Sequence, residues 1–297
     1  MKLKITVGIC VRNCASTLRE TIESIAVQDY PHELMEIIFV DDGSTDNTLS
    51  IIRDYALKLN TKVKIFHHEW KGLGYSRNVV VDNAEGEYII WVDGDMVLPR
   101  DFVRKQVEFM EKNPDVGIAK ARHGIMSTEN VIAILENVPF VIYDYNSKNK
   151  KNNLLKKLPG TGGAIFRLEA LRQVSGFDGK IKGAGEDQDA AFRIKKAGWA
   201  IKQSPTIFFE KRPQTWIAVW RKWFWYGFSN YEIYRKNRNI FSLLVMNPVA
   251  SFIKGLLYIS IANKLLHKKL VLLLLPFAQT FEMLAWCVGF ICGMVKR

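Results

Sequence analysis

Acidic residues are nearly missing from one long stretch of this 297-residue chain: between positions 211 and 269 Glu232 is the only acid, set among lysines and arginines. The chain as a whole carries 42 basic and 30 acidic residues, a surplus that calls for an anionic partner such as a phosphorylated substrate, an anionic lipid or a nucleic acid. Because the acid-poor stretch abuts apolar sequence, it fits a membrane surface better than nucleic acid. Cysteine is scarce too. Cys10, Cys14, Cys287 and Cys292 have no partner at zinc-like spacing, which excludes a zinc framework and fits a reduced, cytosol-facing main domain. No long apolar run follows Met1-Lys2-Leu3-Lys4, so no signal peptide is expected. Residues 5–16 hold no glycine-rich basic loop of the kind that cradles a nucleoside triphosphate, which counts against nucleotidyl transfer.

What is present is a rhythm. Residues 5–11, 36–40, 63–67 and 88–92 read as buried strands, and 16–26, 45–59 and 76–84 as helices between them. Such alternation predicts an α/β fold with a mostly parallel sheet covered on both faces. Ligands of such sheets gather beyond the carboxyl ends of the strands, where Asp41, Asp42, Asp93 and Asp95 fall. In Asp93-Gly94-Asp95 the two carboxylates are one residue apart, so they share a direction, and Gly94 lets the backbone bend closely. A pair of this kind suits Mg²⁺ or Mn²⁺ shared with phosphate oxygens, although a polar turn closing a strand explains the tripeptide taken alone.

Farther on, residues 146–157 are polar and basic and read as a surface loop, and Gly160-Thr161-Gly162-Gly163 reads as a turn into a strand. Residues 186–197 read as a helix that opens on acids and closes on Lys195 and Lys196, in accord with its dipole. Past Pro213, tryptophans 216, 220, 223 and 225 alternate with Arg221 and Lys222, the mixture of a helix lying in a headgroup region. Two apolar stretches follow, 241–262 interrupted by Asn247-Pro248 and Lys254, and 270–295 carrying Pro276, Gln279 and Glu282. Each is long enough to cross a bilayer, but the breakers and the basic clusters favour shallow insertion from the cytoplasmic side. Three parts are therefore expected: a catalytic domain over 1–212, an interfacial helical segment over 213–240, and membrane-associating helices over 241–297.

The run Ile37-Ile38-Phe39-Val40-Asp41-Asp42-Gly43-Ser44-Thr45-Asp46, then Gly86 through Asp95, then Gly185-Glu186-Asp187-Gln188-Asp189, closely resembles the family 2 glycosyltransferases, inverting enzymes of the GT-A fold. The ordered set is specific where each motif alone is weak. The resemblance implies a nucleotide-diphosphate sugar as donor, with Asp41 reading the base and Asp42 beside it. It places the end of the first strand, Ile9, Cys10 and Arg12, in the nucleotide pocket, although the usual Pro and Tyr there are replaced by Cys10 and Arg12. It also implies that Arg77 meets the donor diphosphate, that Asp93, Gly94 and Asp95 bind donor and metal, and that Asp187 is the general base. Glu186 and Asp189 become acceptor-side candidates. The Gln-x-x-Arg-Trp signature of processive members is matched only by Val219-Trp220-Arg221-Lys222-Trp223, without its Gln and with Lys for Arg. Transfer of a single sugar to a lipid-linked acceptor at a membrane, with no nucleic acid involved, is the expectation. The competing readings are a sugar-phosphate nucleotidyltransferase and a non-catalytic binder of anionic lipid or nucleic acid.

Overall fold

The computed structural model describes residues 3–148, 158–236, 238 and 246–295. In chain order the elements are β1 (Ile5–Val11), α1 (Leu18–Ala26), β2 (Met35–Asp42), α2 (Thr48–Ala56), β3 (Lys62–His68), α3 (Leu73–Asn83), β4 (Tyr88–Trp91), β5 (Met96–Val97), α4 (Phe102–Glu111), β6 (Val116–His123) and α5 (Val131–Lys148). They continue as β7 (Ala164–Arg167), α6 (Leu168–Gln173), α7 (Glu186–Lys196), β8 (Ala200–Glu210), α8 (Trp216–Lys236), α9 (Pro248–Leu266), α10 (Lys269–Leu272) and α11 (Leu275–Val295). They divide into two units. The first lies within Met1–Arg122, Asn152–Lys182 and Glu186–Glu210, the second within His123–Lys151, Gly183–Gly185 and Lys211–Arg297.

The first unit is built on a sheet of order β3-β2-β1-β4-β7-β6-β8-β5. Every residue of β1 and β2 is buried, as a strand with both faces covered requires. Pairing is parallel from β3 through β2 and β1 to β4, as the strand–helix alternation demands. Beyond β4 the sheet turns antiparallel, at β4–β7, β6–β7 and β5–β8, so the architecture is a mixed α/β sheet. The strand–helix alternation continues past β4, but the strands it joins there pair antiparallel. Gly8 on β1 is a packing device: a Cβ there would stand 2.9 Å from both Trp91 and Val80, so glycine lets the indole of Trp91 lie flat against the strand. Trp91 in turn packs edge-on against Phe166 and Phe177.

The second unit is helical. The proline breakers seen in the sequence mark helix starts: Asn247 caps α9, accepting from the Ala250 amide at 2.7 Å, and Pro248 is its first residue. Pro276 sits in the first turn of α11. Residues 241–245 lie outside the described residues, as do 149–157, most of the expected basic loop; the start of that loop, 146–148, is the last turn of α5. Helices α8 and α11 cross at glycines. A Cβ on Gly227 would collide with the Trp286 carbonyl oxygen, and one on Gly289 with that of Phe224. With Gly293 four residues on, α11 carries the small-residue spacing that lets helix backbones touch. Gly289→Leu is expected to pry the two helices apart and cost about 3 kcal/mol, read as a lowered Tm in detergent.

One buried ion pair staples this unit. Glu136 on α5 is buried and accepts from Lys222 Nζ and Trp223 Nε1, each at 2.9 Å. Burial alone would raise its carboxyl, but Lys222 and then Trp223 outweigh burial and hold it below the 4.5 of a free glutamate. A folded pKa below the unfolded value means that the folded state binds fewer protons. The pair therefore stabilises above the unfolded value, and the contribution is lost as pH falls through the folded one. Glu136→Gln is expected to cost about 3 kcal/mol at neutral pH by removing the carboxylate charge that faces the Lys222 ammonium. Calorimetry of both proteins should show the gap in Tm closing below about pH 4.

Candidate active site

The carboxyl ends of β1, β2 and β4 carry the acids. Asp41 is fully buried; Ser44 donates to it from its hydroxyl, and His67 Nδ1 lies 2.8 Å from its other oxygen. The Ser44 hydroxyl also accepts from the Asn13 amide at 2.9 Å, and Asn13 Oδ1 accepts from the Thr45 amide at 2.8 Å, so the β1 and β2 turns are interlocked. Asp42 accepts from the amides of Lys71 at 2.7 Å and Gly72 at 3.0 Å. It thus anchors the turn that opens α3, a favourable place for a carboxylate. Base reading by Asp41 would require one of its present partners to give way; the accessible groups at this corner are His67, Arg12 and Trp70. The Arg12 guanidinium lies 5.3 Å from the Trp70 ring centroid, with Lys182 Nζ at 5.6 Å.

Ile9 is buried in the core, and Cys10 lies buried at the strand end. Burial pushes the Cys10 thiol up to about 12 and the Cys14 thiol to about 11, so both stay neutral and bring no charge to the site. Gly94 is pressed against the chain: a Cβ there would stand 2.9 Å from Val11 and 3.1 Å from Cys14. That contact fixes the turn from which Asp93 and Asp95 project.

The Asp93 side chain is 46% accessible, with protein packed around its carboxyl. Burial in the floor of the cleft pushes its carboxyl up; Arg77 opposes this, and Glu210 and Asp187 add to the rise. Carboxylates that crowd one another in this way are relieved by a cation. The hard oxygens of Asp93 and Asp95 fit Mg²⁺ or Mn²⁺ completed by phosphate oxygens and water. Among the described residues no group of three or more His, Cys, Asp or Glu forms an all-protein cage.

Asp187 stands in the first turn of α7. Its oxygens accept from the Thr161 amide at 3.2 Å and the Gln188 amide at 2.7 Å. The loop 160–163 brings it towards Asp93: a Cβ on Gly160 would lie 2.9 Å from Asp187 Oδ2, and one on Gly162 2.5 Å from Asp93 Oδ2. Glycine at both positions lets one loop run beneath two carboxylates. Lys120 ties the loop down, donating to the carbonyls of Gly160 at 3.3 Å and of Gly162. Neither the loop's role nor Lys120 is legible from the tetrapeptide, which reads only as a turn.

The remaining expected residues are spoken for. Arg77 is 5% exposed, with Nη1 on Glu186 and Nη2 3.7 Å from Asp93 Oδ1. Glu186 is fully buried, and Asp189 pairs with Arg193 at 2.8 Å. Neither acceptor-side candidate presents an accessible carboxylate in this structure.

Residues 6–174 match the model of glycosyl transferase family 2. The chain belongs to that family. The match ends before Glu186 and Asp187. Over 121 residues, 40% of this chain and 21% of its relative, it is 35% identical to poly(ribitol-phosphate) β-N-acetylglucosaminyltransferase TarS of Staphylococcus aureus. Over 214 residues, 71% of this chain and 50% of the relative, it is 24% identical to poly-β-1,6-N-acetyl-D-glucosamine synthase of Staphylococcus epidermidis. The chain thus spans half or less of the length of these relatives. Among solved structures, the mannosyltransferase PcManGT of Pyrobaculum calidifontis, in complex with GDP-Man and Mn²⁺, aligns over 100% of this chain and 88% of its own, with TM-score 0.68 and 19% identity. TarS residues 1–349 in complex with UDP align over 99% and 92%, with TM-score 0.56 and 19% identity. At such identity these likenesses establish the GT-A fold of the family.

Proposed function

We propose that this family 2 member is an inverting glycosyltransferase that moves one sugar from a nucleotide-diphosphate sugar to a lipid-linked acceptor at a membrane surface. The observation that carries the reading is the 160–163 loop, which sets the Asp93 and Asp187 carboxylates against alternate residues of one short segment. In this reading Asp187 accepts the proton of the acceptor hydroxyl as that oxygen attacks the anomeric carbon, and the Thr161 and Gln188 amides hold its carboxylate in orientation. Asp93 and Asp95 would hold Mg²⁺ or Mn²⁺, which when bound neutralises charge on the leaving diphosphate. Asp41 with its His67 partner, Asp42, Cys10, Arg12 and Gly94 form the nucleotide corner, and the buried Glu186 and Asp189 serve the start of α7.

Two features support a membrane-borne acceptor. Helices α9 and α11, of 19 and 21 residues, are long and apolar enough to cross a bilayer by length and composition. On α11 the polar Gln279 and Glu282 are buried, whereas Phe277, Leu284, Val288, Ile291 and Val295 are exposed, so its outward face is hydrocarbon. Single transfer is supported by Lys222 and Trp223, whose polar ends are committed to Glu136. The test is incubation of membranes holding the protein with labelled UDP- and GDP-sugars, with and without EDTA. Metal-dependent label in the lipid fraction is expected; no transfer and no donor hydrolysis across the panel would sink the proposal. Label confined to a water-soluble polymer would sink the lipid acceptor alone.

A further inference from the structure

We propose that Lys120 is a positioning residue that aims the proposed base. By holding two carbonyls of the 160–163 loop, it sets the peptide planes that fasten the loop to Asp187 on one side and to the strand before Asp93 on the other. This rests on the functional reading above and adds to it the group that orients Asp187. Within the loop only Thr161 carries a side chain, and peptide planes flanked by glycine turn at little steric cost. A loop so permissive needs a clamp from outside. Lys120, on β6, supplies it, donating from Nζ to the carbonyls of Gly160 at 3.3 Å and of Gly162.

A peptide group is planar and trans, so its carbonyl and its N–H point to opposite sides. The Gly160 carbonyl shares a plane with the Thr161 amide, which donates to Asp187 Oδ2 at 3.2 Å. Lys120 and Asp187 therefore grip opposite edges of one plane. The Gly162 carbonyl shares a plane with the Gly163 amide, which donates to the Trp91 carbonyl at 3.0 Å. Trp91 ends β4, two residues before Asp93. One ammonium thus fixes both peptide groups through which the loop meets the two acid-bearing segments.

The far end of the loop has other fastenings. The Gly163 carbonyl accepts from the Ala121 amide at 3.1 Å and from the buried Gln106 side chain at 3.2 Å, and the Thr161 carbonyl accepts from the Ala164 amide at 2.8 Å. Loss of the lysine would therefore be felt most at the Gly160–Thr161 plane, the edge that faces Asp187. Lys120 is itself seated: its ammonium lies 5.1 Å from the ring centroid of the buried Phe208, and a Cβ on Gly163 would collide with the same ring. Two of the three ammonium donors are spent on the loop, so the effect of the lysine on transfer passes through the loop.

The test measures the rate at which membranes holding the protein move label from UDP- or GDP-sugars into lipid, and the affinity for UDP and GDP with Mn²⁺ by calorimetry. The variants are Lys120→Met, Lys120→Arg, Asp187→Asn and Lys120→Met combined with Asp187→Asn. Displacing a base by about 1 Å costs about 100-fold, and Lys120→Met is expected to lose about that much rate. Its nucleotide affinity should stay within about threefold. Lys120→Arg keeps charge and donors and should recover at least about tenfold of the loss. In Asp187→Asn there is no base left to aim, so adding Lys120→Met should cost less than about threefold more. A lysine that only held the fold together would slow both backgrounds alike. Equal losses in the two backgrounds, or a wild-type rate in Lys120→Met, overturn the proposal. A rate kept while nucleotide affinity falls about tenfold or more overturns it too, and makes Lys120 a donor ligand. Should Lys120→Met not fold, Gly160→Ala presses on Asp187 from the same peptide group, its Cβ 2.9 Å from Oδ2. That variant should lose rate and keep nucleotide; a wild-type rate in it overturns the proposal. Asp187→Asn at the wild-type rate, or wild-type protein that binds neither nucleotide, overturns the functional reading itself, and the role of Lys120 with it.

Discussion

Asp187→Asn is expected to stop sugar transfer while leaving the donor bound. The substitution keeps the shape of the side chain and one of its two acceptor oxygens, so one of the Thr161 and Gln188 amides keeps its partner. What is lost is the ability to take a proton. Positioned general bases contribute about 10²- to 10⁴-fold, so kcat should fall within or beyond that range. In the proposed arrangement the nucleotide is held at the β1, β2 and β4 ends, so its binding should stay near the wild-type value. Isothermal calorimetry with the donor, run beside a single-turnover assay, separates the two outcomes. Loss of donor binding with turnover retained would place Asp187 on the donor side and reverse the assignment.

Much of this arrangement is legible in the sequence because the acids follow local apolar runs. Asp41, Asp42, Asp93 and Asp95 end strands whose burial is written in consecutive residues, and Asp187 opens a helix with an acidic first turn and a basic last turn. What the sequence hides are partnerships between distant segments. For Arg77 the resemblance offers the donor diphosphate, while nothing near it in the chain announces Glu186, Trp91 or Phe177. Gly160 and Gly162 read as turn residues because their constraint comes from Asp187 and Asp93 across space. Trp70, exposed and flanked by Arg12 and Lys182, lies just past β3 where no periodicity marks it. The antiparallel half of the sheet was less legible: helices α5, α6 and α7 still alternate with β6, β7 and β8, but alternation does not say in which direction those strands pair. In the helical unit Pro248 and Pro276 mark helix starts, where Pro is welcome, and not breaks inside a helix, where it is disruptive.

Asp93→Asn and Asp95→Asn should do the opposite of Asp187→Asn: they should remove metal-dependent donor binding itself. Asparagine retains one neutral acceptor oxygen and loses the charge, and Mg²⁺ and Mn²⁺ gain most of their protein affinity from anionic oxygen. Substitutions one step removed from a metal typically cost 10- to 100-fold in affinity, so replacing a carboxylate that touches the ion is expected to weaken Mn²⁺-dependent nucleotide binding by at least about 100-fold. Asp93 should be the more sensitive of the two. Burial raises its carboxyl, and crowding by Glu210 and Asp187 adds to the rise against Arg77. Removing its charge also relieves that crowding, so Asp93→Asn is expected to melt no lower than the wild type without metal, even as it loses the rise in Tm that Mn²⁺ and nucleotide together give the wild type. A thermal-shift series over Mn²⁺ at fixed UDP or GDP reads both effects in one experiment. A full ligand-induced shift in Asp93→Asn would remove Asp93 from the metal and leave Asp95 as its one proposed carboxylate ligand.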